Sequence, residues 1–151
     1  MSPMKNNNEG MTVIVKTIVK LVVPPIILFG IYIFLHGHLT PGGGFPGGVI
    51  VASSFILLTL AFGRKVAFQK LKMSTASILE SAGDLIFLSL AVVGMIVGGW
   101  FFVNFIPKGY PLRIISAGFI PLANIAIGMK VGVGVFAVVL VLAMFRISVK
   151  K

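Results

Sequence analysis

Four long apolar runs constrain this chain more than anything else in it. The first, from Val13 to Leu35, holds two charges, Lys16 and Lys20, both near its start. A helix of about 23 residues at ~1.5 Å per residue crosses the ~30 Å hydrocarbon core of a bilayer. The second run, Val49 to Phe62, reaches a short spanning length once Gly47 and Gly48 are added. Ser77 to Val103 is the third, at about 27 residues, which implies tilt or an end protruding into the interface. Ala123 to Phe145 is the fourth. The pattern predicts an all-α polytopic membrane protein. It forms a single transmembrane domain over residues 1–151, with spans at about 13–35, 47–62, 77–103 and 123–145.

Composition supports lipid as the solvent. Hydrophobic residues make up 58% and charged residues 11%, where soluble domains carry about 25% charged residues. Mean hydropathy is +1.10. The net charge of +10 does not indicate nucleic acid, because the basic residues flank apolar runs rather than forming a patch on a polar surface. With no cysteine, disulfides, thiolate metal sites and redox thiols are excluded. His36 and His38, two apart, fall on different faces of a helix, so no metal site and no cofactor are expected.

Basic residues also set the expected orientation. Lys5, Lys16, Lys20, Arg64, Lys65, Lys70, Lys72, Arg146, Lys150 and Lys151 lie at the two ends and after the second run, against Lys108 and Arg113 in the other connections. Basic residues favour the cytoplasmic side, so both termini are expected there, in a multi-pass protein of the cell membrane. The first run is too long for a signal peptide and lacks a small-residue cleavage site. Pro24 and Pro25 within it are expected to kink the helix.

Three ionisable residues fall within or beside the later runs. Glu80 and Asp84 are four apart and share a helix face. Asp84 is expected ~10 Å deep, where an ionised carboxylate must be paired, protonated, or facing protein or water. Glu80 is shallower, near a helix start that favours anions. Lys130 enters from the opposite membrane side, among apolar neighbours. It can act as a proton relay or as the partner of a fixed carboxylate. Starting from opposite sides, Asp84 and Lys130 are expected to meet only with tilt, and a partner on a neighbouring chain is an equal alternative. Asn124 can bond across helices or support Lys130. His36 and His38 can titrate near neutrality or simply sit at the interface.

The connection between the first two runs reads His36-Gly-His-Leu-Thr-Pro-Gly-Gly-Gly-Phe-Pro-Gly-Gly48. It lacks the Gly-Lys-Ser/Thr ending of a phosphate-binding loop. Pro41, Gly42, Gly43, Gly44, Phe45, Gly47 and Gly48 instead suit a rigid, irregular start to a membrane helix. Such backbone survives at depth only when buried in protein or lining a cavity. Glycine pairs four apart, Gly94 with Gly98 and Gly128 with Gly132, permit close helix approach or are merely tolerated.

The run Gly37-His-Leu-Thr-Pro-Gly-Gly-Gly-Phe-Pro-Gly-Gly48 resembles a signature of the B subunit of Mrp (Mnh) sodium/proton antiporters. That family reads Gly-His-Asn-x-Pro-Gly-Gly-Gly-Phe-x-Gly-Gly there, and Leu39 replaces the Asn. Size, four spans and the basic loop after the second span also fit. Before the last span the family has a Phe-Asp-x-Gly-type sequence. Here Pro121-Leu-Ala-Asn-Ile-Ala-Ile-Gly-Met-Lys-Val-Gly132 looks more like the B-type subunits of archaeal membrane-bound hydrogenase and sulfane-reductase complexes.

The resemblance implies a non-catalytic accessory subunit embedded in membrane lipid and packed with other Mrp-like antiporter subunits. Sodium ions and protons move at the level of the whole complex. Asp84, Lys130 and Glu80 are the ion-pathway candidates, on burial physics rather than on a family motif. A purely structural scaffold within the same complex is the alternative. A free-standing transporter is disfavoured, since four spans offer little material for an inverted repeat.

Overall fold

The computed structural model describes residues 10–63, 73–110 and 116–148. Four helices account for most of them: α1 Val13–Leu35, α2 Gly44–Phe62, α3 Met73–Gly98 and α4 Ile120–Ser148. Each is long and apolar enough to cross a membrane, and the chain is an all-helical multi-pass membrane protein. Lys5, Arg64, Lys65, Lys70, Lys72, Arg113, Lys150 and Lys151, on which the expected orientation chiefly rests, lie outside the described residues.

Three helices differ in their bounds from the sequence expectation. α2 starts at Gly44 rather than Gly47, because Pro46 falls in its first turn, where a missing N–H costs nothing. α3 runs from Met73 to Gly98 instead of 77–103. Gly99 closes it with φ +78°, the left-handed conformation typical after a helix C-terminus. The apolar residues that follow therefore do not extend the helix. α4 begins at Ile120, before the expected 123. α1 matches its expected bounds and runs as one element through Pro24 and Pro25.

The helices pack in the spatial order α1, α2, α4, α3. Sequence neighbours α1 and α2 are antiparallel, as Gly30 against Gly47 and the Met11 N–H bond to the Ala61 carbonyl (2.9 Å) both show. α2 and α4 run parallel and cross at Gly48 and Gly132. α3 packs on α4, while α1 touches α4 only lightly.

Packing follows the logic of lipid rather than water. One core joins Val19 and Val23 of α1 to Ala61 of α2, and another joins Ala52 of α2 to Phe136 and Leu140 of α4. Ala52, Ala61, Ala76, Ala91, Ala123 and Ala126 are buried, while Leu21, Leu28, Leu85 and Ile96 are exposed. Small residues at contacts let backbones approach, and large apolar side chains meet acyl chains at no cost.

The segment after α3 folds back on it. Val103 sits against Gly94 and Gly98, so this glycine pair accommodates a returning connection rather than another helix. The Asn104 side chain clamps the chain before α4: its Nδ2 donates to the Ala117 carbonyl (3.2 Å), and its Oδ1 accepts from the Phe119 N–H (3.2 Å).

Candidate functional site

Lys130 and Asp84 form an ion pair within this chain, with Nζ to Oδ1 at 2.6 Å. Of the two alternatives the sequence left open, a partner in this chain or one on a neighbouring chain, the structure has the first. Asp84 lies eleven positions after Met73, or ~16 Å along α3, and Lys130 ten positions after Ile120, or ~15 Å along α4. In antiparallel helices those depths add to about the ~30 Å thickness of the hydrocarbon core. With the two helix starts at opposite faces of the core, the side chains meet near its middle. The expected helix starts were three to four residues late, which made both residues look too shallow.

Small residues bring the backbones close enough for this contact. A methyl group at Gly83 would stand 2.9 Å from the Ala126 carbonyl oxygen and 3.3 Å from Lys130 Cβ. Glu80 sits one turn before Asp84, its Oε1 facing Gly134. Both members of the ion pair remain half exposed on the outer face of α3 and α4.

The glycine-rich connection stands at the crossing of α1, α2 and α4. Pro41 and Gly42 precede the helix, and Gly43 is the residue before its first turn, with φ +132°. That backbone conformation disfavours any side chain. Gly44 lies against Asn124 and Ile127, Gly47 against Gly30 and Phe34, and Gly48 against Gly128 and Gly132. A methyl group at Gly48 would come within 2.7 Å of the Gly128 carbonyl oxygen. Phe45 points away and is exposed. Asn124 accepts a hydrogen bond from the Gly44 N–H at 3.4 Å, so of its two possible roles the structure gives it the one across helices. His36 closes α1, stacks on Tyr32 at 4.1 Å, and donates from Nδ1 to the Tyr32 carbonyl (3.1 Å).

A family model described as the domain related to the MnhB subunit of Na+/H+ antiporters matches residues 14–141. The chain belongs to this family. An uncharacterized protein of Methanocaldococcus jannaschii is 38% identical over 131 residues, covering 83% of this chain and 50% of that protein. A protein of Staphylococcus saprophyticus named for antiporter subunit mnhB2 is 42% identical over 95 residues, covering 63% of this chain and 64% of its own. Among solved structures, a chain of the membrane-bound sulfane sulfur reductase, an archaeal respiratory membrane complex, superposes with a TM-score of 0.73 at 34% identity. The match covers 89% of this chain and 61% of that one. The chain thus spans between half and two thirds of the length of these relatives.

Within this MnhB-related chain, the contact that sequence reasoning missed outright is the Asn104 clamp. Its only sequence signal was a lone amide directly after an apolar run. The Asn124 link to Gly44 was half visible, as an amide inside a span, but its partner lies eighty positions away.

Proposed function

We propose that this MnhB-related chain is a non-catalytic accessory subunit of a multisubunit cation/proton antiporter module, with sodium as the coupled cation, built into a membrane-bound respiratory complex. Its neighbours are other Mrp-like antiporter subunits, and both its ends face the cytoplasm. Family membership over residues 14–141 carries this reading, supported by the likeness to a chain of the sulfane sulfur reductase complex. The mid-membrane ion pair is the feature that connects the chain to charge movement. An approaching cation or proton competes with Lys130 for the Asp84 carboxylate, and Lys130 is released when it wins. In this reading Glu80, one turn nearer the start of α3, receives the displaced charge.

The test is sodium-dependent proton exchange in inverted membrane vesicles. Exchange is expected to fall to background when the chain is deleted and to return when it is resupplied. Unchanged exchange in the deletion would overturn the proposal.

One observation favours the structural reading. Asp84 and Lys130 already neutralise each other at 2.6 Å, which satisfies both charges without an ion path. Under that reading Asp84→Asn combined with Lys130→Met leaves exchange intact, because a neutral pair of similar volume holds the helices equally well.

A further inference from the structure

Among the described residues, the ionisable side chains at depth on α3 and α4 do not balance. Asp84 and Lys130 cancel, and Glu80 leaves the trio with one negative charge. Lys16 and Lys20 do not offset it. Their Nζ atoms lie over the Phe62 ring at 6.0 and 5.5 Å, on the α1–α2 side, and α3 packs on α4 instead. An uncompensated carboxylate among acyl chains is costly, and such groups are paired or face protein.

The surface beside Glu80 is recessed. Gly134 presents no side chain to it, and an open groove of about 340 Å³ runs along α4, lined by Phe45, Glu80, Lys130, Val131, Val135 and Val138 among others. Apart from Glu80 and Lys130 its lining is apolar, which suits van der Waals packing of a helix in lipid. Its single unbalanced group is acidic. An acyl chain fills such a groove but leaves the charge unanswered.

We propose that this groove seats a transmembrane helix of a neighbouring subunit carrying a basic side chain level with Glu80. The inference rests on the reading of the chain as a subunit of a larger membrane complex, and it adds the face used and the chemistry of the partner. The partner's cation completes a four-charge cluster with no net charge, and its helix covers the half-exposed Asp84–Lys130 pair.

Photo-crosslinking in the intact complex tests this. A benzophenone side chain is placed at Val138 in the groove or, for comparison, at Leu28 on the exposed face of α1. The Val138 adduct is expected to yield, by mass spectrometry, a peptide from an apolar span of another subunit with a Lys, Arg or His within about one turn of the Glu80 level. Glu80→Lys is expected to lower that adduct at least about tenfold, since like charges meet in a desolvated contact. Changing the identified basic residue to Glu in the same cells should restore it. If Glu80→Lys does not accumulate, Glu80→Gln combined with a neutral partner residue replaces the swap, with the same loss and recovery expected. A crosslinked peptide without a basic residue, one from a second copy of this chain, adducts to lipid alone, or no rescue overturns the inference. Adducts to other subunits from Leu28 alone refute this groove while leaving the subunit reading standing. No protein adduct from either position refutes both.

Discussion

The Asn124 side chain accepts a hydrogen bond from the Gly44 N–H at 3.4 Å, so α4 supplies the cap that α2 lacks. Gly43, the residue before the first turn, has no side chain to do so. The first N–H groups of a helix have no internal partner, and in lipid there is no water to replace one. The relation ties the register of two helices that are distant in sequence.

Asn124→Ala is therefore expected to destabilise the solubilised complex by about 1–2 kcal/mol, the usual value of a cap or a buried hydrogen bond. Thermal unfolding in mild detergent measures it. A melting temperature equal to the parent's would mean that the long Gly44 contact contributes nothing.

Gly48→Ala is expected to cost about 1–3 kcal/mol, because the new methyl group meets the Gly128 carbonyl oxygen at 2.7 Å and one helix must move. Gly48→Val should abolish accumulation of the subunit, read by immunoblot of membranes. Normal accumulation of both variants with transport alone lost would assign this segment to gating instead.

Single neutralisations of the ion pair should be worse than the double. Asp84→Asn leaves Lys130 alone at mid-membrane, and Lys130→Met leaves Asp84 alone. Each is expected to lower complex recovery several-fold, while the double variant recovers most of it, since a broken charge pair costs more than a neutral replacement. Equal losses in all three would show that the side chains act independently. Lys130→Arg separates a fixed charge from a relay. It should support assembly but restore exchange poorly if proton release matters, because arginine keeps its proton.

The orientation is tested by labelling single cysteines at Ser2, Gln69, Lys108 and Lys151 in intact cells. Only the Lys108 position should react with an impermeant reagent, given where the basic residues fall. Labelling of Gln69 from outside would invert the topology.

Apolar run length made the number and approximate position of the helices legible in the sequence. It did so less well at their ends, where glycine and proline decide the matter: Pro46 fits inside the first turn of α2, and Gly99 stops α3 before an apolar stretch that hydropathy alone would continue. Asp84 and Lys130 stood out individually, because ionisable residues are rare at that depth. Their pairing was hidden by an error of three or four residues at each helix start. Which helices touch was not legible at all. The parallel crossing of α2 on α4 depends on Gly48, Gly128 and Gly132 meeting, and spacing within one helix does not name the helix opposite.

The spatial order of the helices also imposes a schedule on biogenesis. α3 leaves the ribosome before the helix it packs against, so Asp84 is synthesised 46 positions ahead of Lys130. At ~5–20 residues per second that is a wait of roughly two to nine seconds. During that interval Asp84 is without the Lys130 ammonium that pairs with it, and the Gly44–Gly48 side of α2 is without α4. Membrane insertion of the first three helices is thus provisional until the fourth arrives. A chain arrested between Gly98 and Ile120 would hold an acidic hairpin that an insertase or a waiting neighbour must shelter.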